Sequence, residues 1–372
     1  MNVMLMTSHL NMGGITRYML TLPQGLRARA HEVHVVSSGG AMLPLFEQMG
    51  AEHLQLPIKT KSELNPNLYL SLRPLAEYVR QHEIEIIHAQ TRVTQVMGSL
   101  MKRKNKIPYV STCHGYFKTR LFRQLWPCWG DVIAISPAVA THLHQDFKVP
   151  AYKIHLVSHG IDLADFAQIT PEERMANRRQ LGLTDELTIG MIARLSDVKG
   201  QDILIAAMPQ IIWEVPRAKL LLFGEGKMKE QLLELVKRLR LQDYVEFFPI
   251  VAKTRASLSA IDCFAVPSRQ EGLGLSVMEA QACGVAVVAS DVGGIPSLIE
   301  NRQTGILVKP KDVKALASAI ITVLKDDEFR YSLGVSARRK AFSQYSSNQM
   351  IDKTIDVYKK VLTNEKYPRS QR

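Results

Sequence analysis

Residues 268–280 read Ser268-Arg-Gln-Glu-Gly-Leu-Gly-Leu-Ser-Val-Met-Glu-Ala280. They follow a β-rich run, Cys263–Val266, and lead through a loop with Gly272 and Gly274 into a helical pattern that opens near Leu275. A buried strand, a glycine loop and a helix in that order make one strand–helix unit of a parallel sheet. Glu271 falls on the loop and Glu279 about one turn inside the helix. The loop amides from Gly272 through Leu275 and Ser276 are placed to meet anionic or hydroxyl oxygens.

The same unit repeats on both sides. Downstream comes the strand Val285–Ala289, and upstream Val245–Phe248, Lys219–Phe223 and Thr188–Ala193. Further back the candidate strands are Val3–Thr7, Glu32–Ser37, Ile84–His88, Tyr109–Cys113, Asp131–Ile135 and Lys153–Val157. All are rich in Val and Ile without strict alternation, as strands covered on both faces are. Helical periodicity fills the gaps, for example Thr16–Arg29, Leu68–Gln81, Ala138–Gln145 and Gln201–Trp213. At 372 residues the chain exceeds what one core supports. The expectation is an α/β protein of two doubly wound Rossmann-like domains. We place them at 1–165 and 166–345, the pattern breaking at Gly160, Asp162, Asp165 and Pro171. Residues 346–372 form a C-terminal helix and tail, the helix starting after Ser346-Ser347 and packing back toward the N-terminal domain.

Composition narrows the class. The apolar fraction is 46%, no run reaches the length of a membrane span, and the apolar start reads as a buried strand rather than a signal peptide. Cys113, Cys128, Cys263 and Cys283 are scattered without metal-site spacing, which fits free thiols in a reducing cytosol. The formal charge is +12, and no acidic residue occurs between Glu85 and Asp131. That stretch carries Arg92, Lys102, Arg103, Lys104, Lys106, Lys118, Arg120 and Arg123, a field suited to an anionic partner.

Three places can meet such a partner chemically. Gly190-Met-Ile-Ala-Arg-Leu-Ser-Asp-Val-Lys-Gly200 begins as a strand and ends at a helix start. Arg194 and Lys199 therefore sit at a strand's carboxyl end beside a helix N-terminus, where doubly wound folds bind ligands. Two cations and a helix dipole can neutralise a departing diphosphate. Gly13-Gly14 follows the first strand and lets backbone approach a ligand, but it is no GxGxxG fingerprint and does not support a dinucleotide cofactor. Glu271 and Glu279 are not spaced as a glycosidase pair, whose carboxyls lie roughly 5–10 Å apart. They suit acceptance of hydrogen bonds from different hydroxyls of one polyol ligand.

Glu271, seven residues and Glu279 within EGLGLSVMEA resemble the signature of retaining glycosyltransferases of family four, whose fold is called GT-B. Further segments agree in order: NMGGITRY after the first strand, His114-Gly115, VSHGID at Val157–Asp162, ARLSDVKG, LLLFGEG at Leu220–Gly226, and Asp291–Ile320. The resemblance implies two domains facing across a cleft. It also implies a nucleotide diphosphate-sugar donor held mainly by the second domain, a glycan or lipid-linked acceptor held by the first, and transfer with retention. On this resemblance Arg194 and Lys199 contact phosphate and Glu279 the ribose hydroxyls. Glu271 and its loop contact the sugar, Gly14 is the phosphate-side glycine, and His114 lies near the donor sugar. The family often has PNGID where this chain has Ser158-His159-Gly160-Ile161-Asp162, so the contact made there stays open. His88 reads as structural.

No Asp-x-Asp motif occurs, so no metal and no resident cofactor are expected; the cations stand in for Mg²⁺. Phe117, Leu121, Phe122, Leu125, Trp126 and Trp129 recur at helical spacing beside Lys118, Arg120 and Arg123. That pattern fits either an interfacial helix on anionic lipid or a stripe packed on the first sheet. The expectation that follows is a cytoplasmic enzyme, peripheral at the cytosolic membrane face, acting in envelope polysaccharide or lipopolysaccharide synthesis. The alternatives are an epimerase or phosphorylase on the same fold, or a nucleic-acid binder using residues 86–130, for which no recognised module is present. Base, sugar, linkage and oligomeric state are not written in these motifs; base selection rests on the loop at Ile250–Lys253.

Overall fold

The computed structural model describes residues 1–11, 13–119, 129–249 and 253–366, with the side chains of 364–366 left aside. The chain divides into two compact units, residues 1–160 with 347–372, and residues 161–346. The division falls at Gly160 rather than at 165 because the Ile161 amide donates to the Tyr345 carbonyl (2.8 Å) and Ile161 bridges Ser346.

In the first unit the strands are β1 (Asn2–Met6), β2 (Glu32–Ser37), β3 (Glu52–Gln55), β4 (Ile86–Ala89), β5 (Tyr109–Cys113), β6 (Asp131–Ala134) and β7 (Ile154–Leu156). They form one parallel sheet in the order β3-β2-β1-β4-β5-β6-β7. Every residue of β4 and β5 is buried, His88, Ser111 and Thr112 included, as in strands covered by helices on both faces. The sequence predicts a single helix over Leu68–Gln81, but the chain forms two, Pro66–Leu70 and Leu72–Gln81. Pro74 has no N–H for the Leu70 carbonyl, and the helix breaks there.

The helix Ser347–Lys366 belongs to this unit and packs on the helix Gly14–Arg27. It buries Met350, Ile351, Ile355, Val357, Tyr358 and Val361 with Val3, Leu5, Leu22 and Leu26 of the first sheet's core. Gly25 allows this approach, since a Cβ there would fall 1.9 Å from Ile351 Cδ1.

The second unit holds β8 (Leu187–Ile192), β9 (Ala218–Phe223), β10 (Val245–Phe248), β11 (Cys263–Val266), β12 (Ala286–Ser290) and β13 (Ile306–Val308), parallel and ordered β10-β9-β8-β11-β12-β13. Helices Gln201–Glu214 and Val313–Lys325 pack against each other over its core. In each sheet the chain winds outward from a central strand and then reverses. The reversal lies between β1 and β4 in the first unit and between β8 and β11 in the second. Such switch points open a crevice at the strands' carboxyl ends. No helix among the described residues is long and apolar enough to cross a membrane.

Candidate donor site

In the second unit the loops after β8 and β11, the two strands at the switch point, are bound to one another. The Arg269 amide donates to the Val198 carbonyl (2.8 Å), and the Arg269 guanidinium grips Asp202 in a two-pronged pair at 2.8 and 2.6 Å. Gly200 takes φ +77 and opens the helix Gln201–Glu214; a Cβ there would meet the Pro267 carbonyl oxygen at 2.1 Å. Only glycine satisfies both demands. On the other side, Gly224 and Gly226 bring the loop after β9 onto the carbonyls of Ala193 and Leu195, where a Cβ would stand 2.0 and 2.2 Å away.

This framework fixes the cations. Lys199 ends a short turn, Asp197–Lys199, and its Nζ lies 2.6 Å from Glu271 Oε2. Ser268 Oγ donates weakly to the same oxygen at 3.4 Å. Arg194 is exposed and has no acidic partner among the described residues, while its carbonyl accepts from buried Gln201 Nε2 (3.0 Å). Ser196 Oγ is buried with no hydrogen-bond partner among them.

The loop carrying Glu271 is held by its backbone. The Gly294 amide donates to the Glu271 carbonyl (3.2 Å), and Cβ atoms at Gly293 or Gly294 would collide with the carbonyls of Glu271 and Gly272. Gly274, at φ +109, opens the helix Leu275–Ala282, whose first turn holds Leu275 and Ser276 and whose next holds Glu279, 7% exposed. Arg194, Lys199, Glu271, Gly272, Gly274, Leu275, Ser276 and Glu279 thus gather around one switch point.

Gly13, Gly14 and His114 lie in the first unit, at the carboxyl ends of β1 and β5. Gly14 is the first residue of its helix, and Gly13 is extended with nothing within 4 Å of an added Cβ. His114 Nε2 lies 2.8 Å from Gln90 Oε1, and its Nδ1 lies 3.1 Å from His159 Nε2. With the Gln90 oxygen as acceptor, His114 carries its proton on Nε2 and accepts at Nδ1 from His159. The Tyr18 ring stacks on His159 (centroids 4.6 Å apart) and meets His114 edge-on at 5.0 Å. Burial, then the neighbouring His159 and His88, hold the His114 pKa well below the ordinary value; burial alone lowers His159 to about 4. Both ring nitrogens of His114 are engaged inside the protein, so this arrangement positions a neutral ring rather than presenting a free base. His88 is wholly buried between the Tyr358 hydroxyl and Thr112 Oγ1, both at 2.6 Å.

Comparison with known proteins decides the family. The family model described as "Glycosyltransferase Family 4" matches residues 12–165, and that described as "Glycosyl transferases group 1" matches residues 173–340. A GDP-mannose-dependent monoacylated alpha-(1-6)-phosphatidylinositol monomannoside mannosyltransferase from Corynebacterium glutamicum is 31% identical over 300 residues, 73% of this chain and 75% of that one. The chain belongs to glycosyltransferase family 4. Over 97% of both chains this glycosyltransferase is 26% identical to the N-acetyl-alpha-D-glucosaminyl L-malate synthase of Bacillus anthracis. Among solved structures, Anabaena Alr3699/HepE in complex with UDP and glucose superposes with a TM-score of 0.85 at 24% identity, covering 96% of this chain and 99% of that one. That likeness concerns the GT-B fold.

Sequence reasoning missed Gln90, Tyr18, the Arg269–Asp202 clasp and the Gly293-Gly294 brace, and it left His159 without a role. Gln90 carried a signal, a polar residue directly after a buried strand, but nothing in the sequence paired it with His114. The stripe that includes Trp129 fitted either a lipid surface or packing on the first sheet, and Trp129 takes the second: it is buried against Phe117 and Phe147 (5.3 and 5.5 Å) at the entry to β6. Arg120–Cys128 of that stripe and Ile250–Ala252 of the base-selecting loop lie outside the described residues.

Proposed function

We propose that this glycosyltransferase moves a sugar, with retention, from a nucleotide diphosphate-sugar to a glycan or lipid-linked acceptor, as in envelope polysaccharide or lipopolysaccharide synthesis. The observation that carries the reading is the Lys199–Glu271 pair at the β8/β11 switch point with Arg194 exposed beside it. An arriving diphosphate competes with Glu271 for Lys199 and frees that carboxylate for sugar hydroxyls, while Arg194 takes further phosphate charge. Charge on the departing diphosphate grows as the glycosidic bond breaks, so cations fixed here bind the transition state more strongly than the ground state. Glu279 accepts from ribose hydroxyls, and the amides from Gly272 to Ser276 meet the sugar. Within the first unit, Gly13 leaves room for close approach of an anionic group at the start of the Gly14 helix, and His114 offers a neutral ring. One relative's name, GDP-mannose-dependent, supports a nucleotide donor; the names split on the acceptor, one naming a phosphatidylinositol mannoside and the other L-malate.

No metal or cofactor takes part in this reading, because the cations neutralise the diphosphate. Proton NMR of the product formed in EDTA tests retention and metal independence together. The anomeric configuration of the donor is expected in the product, at a rate close to that without chelator. An inverted product, or activity restored only by Mg²⁺ or Mn²⁺, contradicts the reading.

We place the enzyme in the cytoplasm, held peripherally at the membrane by charge. Lys102, Arg103, Lys106 and Lys153 line one recess, and each such cation contributes about 1 kcal/mol beside an anionic surface. Co-sedimentation with anionic vesicles at low salt, lost with neutral vesicles, is the expected result. Equal sedimentation with both removes the membrane from the account.

A further inference from the structure

A cluster at the edge of the first sheet serves none of this chemistry. His34 on β2 and Glu52 on β3 are register partners on adjacent parallel strands, so their side chains share a face. His82 caps the end of the helix Leu72–Gln81, and Tyr78 precedes it by one turn, its ring stacked on the His82 ring at 4.0 Å. His34 Nδ1 and His82 Nδ1 each lie 3.2 Å from Glu52 Oε2. The Tyr78 hydroxyl lies 3.0 Å from His34 Nδ1 and 3.2 Å from Glu52 Oε2. The donor atoms of His34, Glu52 and His82 all fall within 4.8 Å of one another, and theirs is the one such grouping of His, Cys, Asp or Glu among the described residues.

We propose that His34, Glu52 and His82 form a binding site for a divalent metal of the zinc type, separate from the donor site. Zinc bonds to nitrogen and oxygen of roughly 2.0–2.1 Å give a tetrahedral edge of roughly 3.3 Å, which both Nδ1–Oε2 separations approach. Two imidazoles and one carboxylate are the ligands a borderline divalent metal takes, and three protein ligands leave a fourth position beside the Tyr78 hydroxyl. The site has an entry path, since His34 is buried while Glu52 is 59% exposed and His82 26%. Glu32 adds negative charge beside His34.

Its place in the sheet sets it apart from the transferase chemistry. His34 is the third residue of β2, Glu52 the first of β3, and His82 precedes β4, so all three lie toward the strands' amino ends. Donor chemistry in this fold belongs to the carboxyl ends. A metal here ties the four-residue edge strand β3 and the end of a helix to β2, stabilising the unit by binding only its folded form. Sequence spacing gives no hint of the site, because its ligands are 18 and 30 residues apart and no short motif contains them.

The test uses the full chain freed of metal by chelation and titrated calorimetrically with ZnCl₂. One Zn²⁺ per chain is expected, with a raised Tm and, for Co²⁺, the visible absorption of tetrahedral coordination. Glu52→Gln and His82→Ala, both at solvent-accessible positions, are each expected to weaken Zn²⁺ binding by about tenfold or more. No saturable binding by the wild-type chain, or equal affinity in both variants, overturns the proposal and leaves a hydrogen-bonded cluster only. Sugar transfer measured in EDTA is expected to persist, so this result and the proposed function stand or fall separately.

Discussion

Lys199 and Glu271 meet at 2.6 Å with side chains 24% and 15% exposed, a charge pair that a second anion can enter. Arg194, five residues earlier, has no such partner among the described residues, and the difference gives the two cations different tasks. In the proposed reaction Lys199 exchanges one carboxylate for phosphate, whereas Arg194 offers its fork directly. In the first unit, by contrast, His88 and His114 each have both ring nitrogens hydrogen-bonded inside the protein. Burial lowers His88 to about 3 and His159 to about 4, so both are neutral in the folded chain at neutral pH. Unfolding returns them to about 6.5, where they bind protons as the solution turns acid. Their contribution to stability is complete above about 6.5 and is lost as pH falls toward 4, at up to about 1.4 kcal/mol per pH unit each. Thermal melts between pH 6.5 and 5 are expected to show a falling Tm, and His88→Gln to flatten the slope. An unchanged slope in that variant would remove His88 from the explanation.

Among elements, the legible ones were those whose burial is symmetric. β4, β5 and β12 are buried throughout and β1 in all but Asn2, so they lack the alternation of a half-exposed strand. The edge strand β3, Glu-His-Leu-Gln, is half exposed and only four residues long, and nothing in its composition announces a strand. The three-residue β13 lay inside a motif quoted for its resemblance and was not read as a strand. The glycine loops were legible as turns, but what they pack against was not. Gly224 and Gly226 answer to Ala193 and Leu195 in the loop after β8, and Gly293 to Glu271 in the loop after β11. Placing Arg194, Lys199, Glu271 and Glu279 required only knowing which strand each follows. Placing Gln90 and His159 required the sheet order, because their shared partner His114 directly follows β5.

At the scale of the whole chain, the C-terminal helix returns to the unit where the chain began. Tyr358 supplies the hydroxyl that completes the hydrogen bonding of His88, so the first unit's polar core closes only when the last helix docks. Each unit winds about its own switch point, and three of the segments that resemble family 4, NMGGITRY, ARLSDVKG and EGLGLSVMEA, follow strands that flank those points. In the proposed function the carboxyl ends of β8 and β11 hold a nucleotide diphosphate through Arg194 and Lys199. Calorimetric titration of UDP, GDP, ADP and CDP into the wild-type chain, Arg194→Ala and Lys199→Ala tests it most directly. One of the four is expected to bind the wild type stoichiometrically and each variant about tenfold or more weakly, about 1.4 kcal/mol. Binding of none of them, or equal affinity in all three proteins, would contradict it.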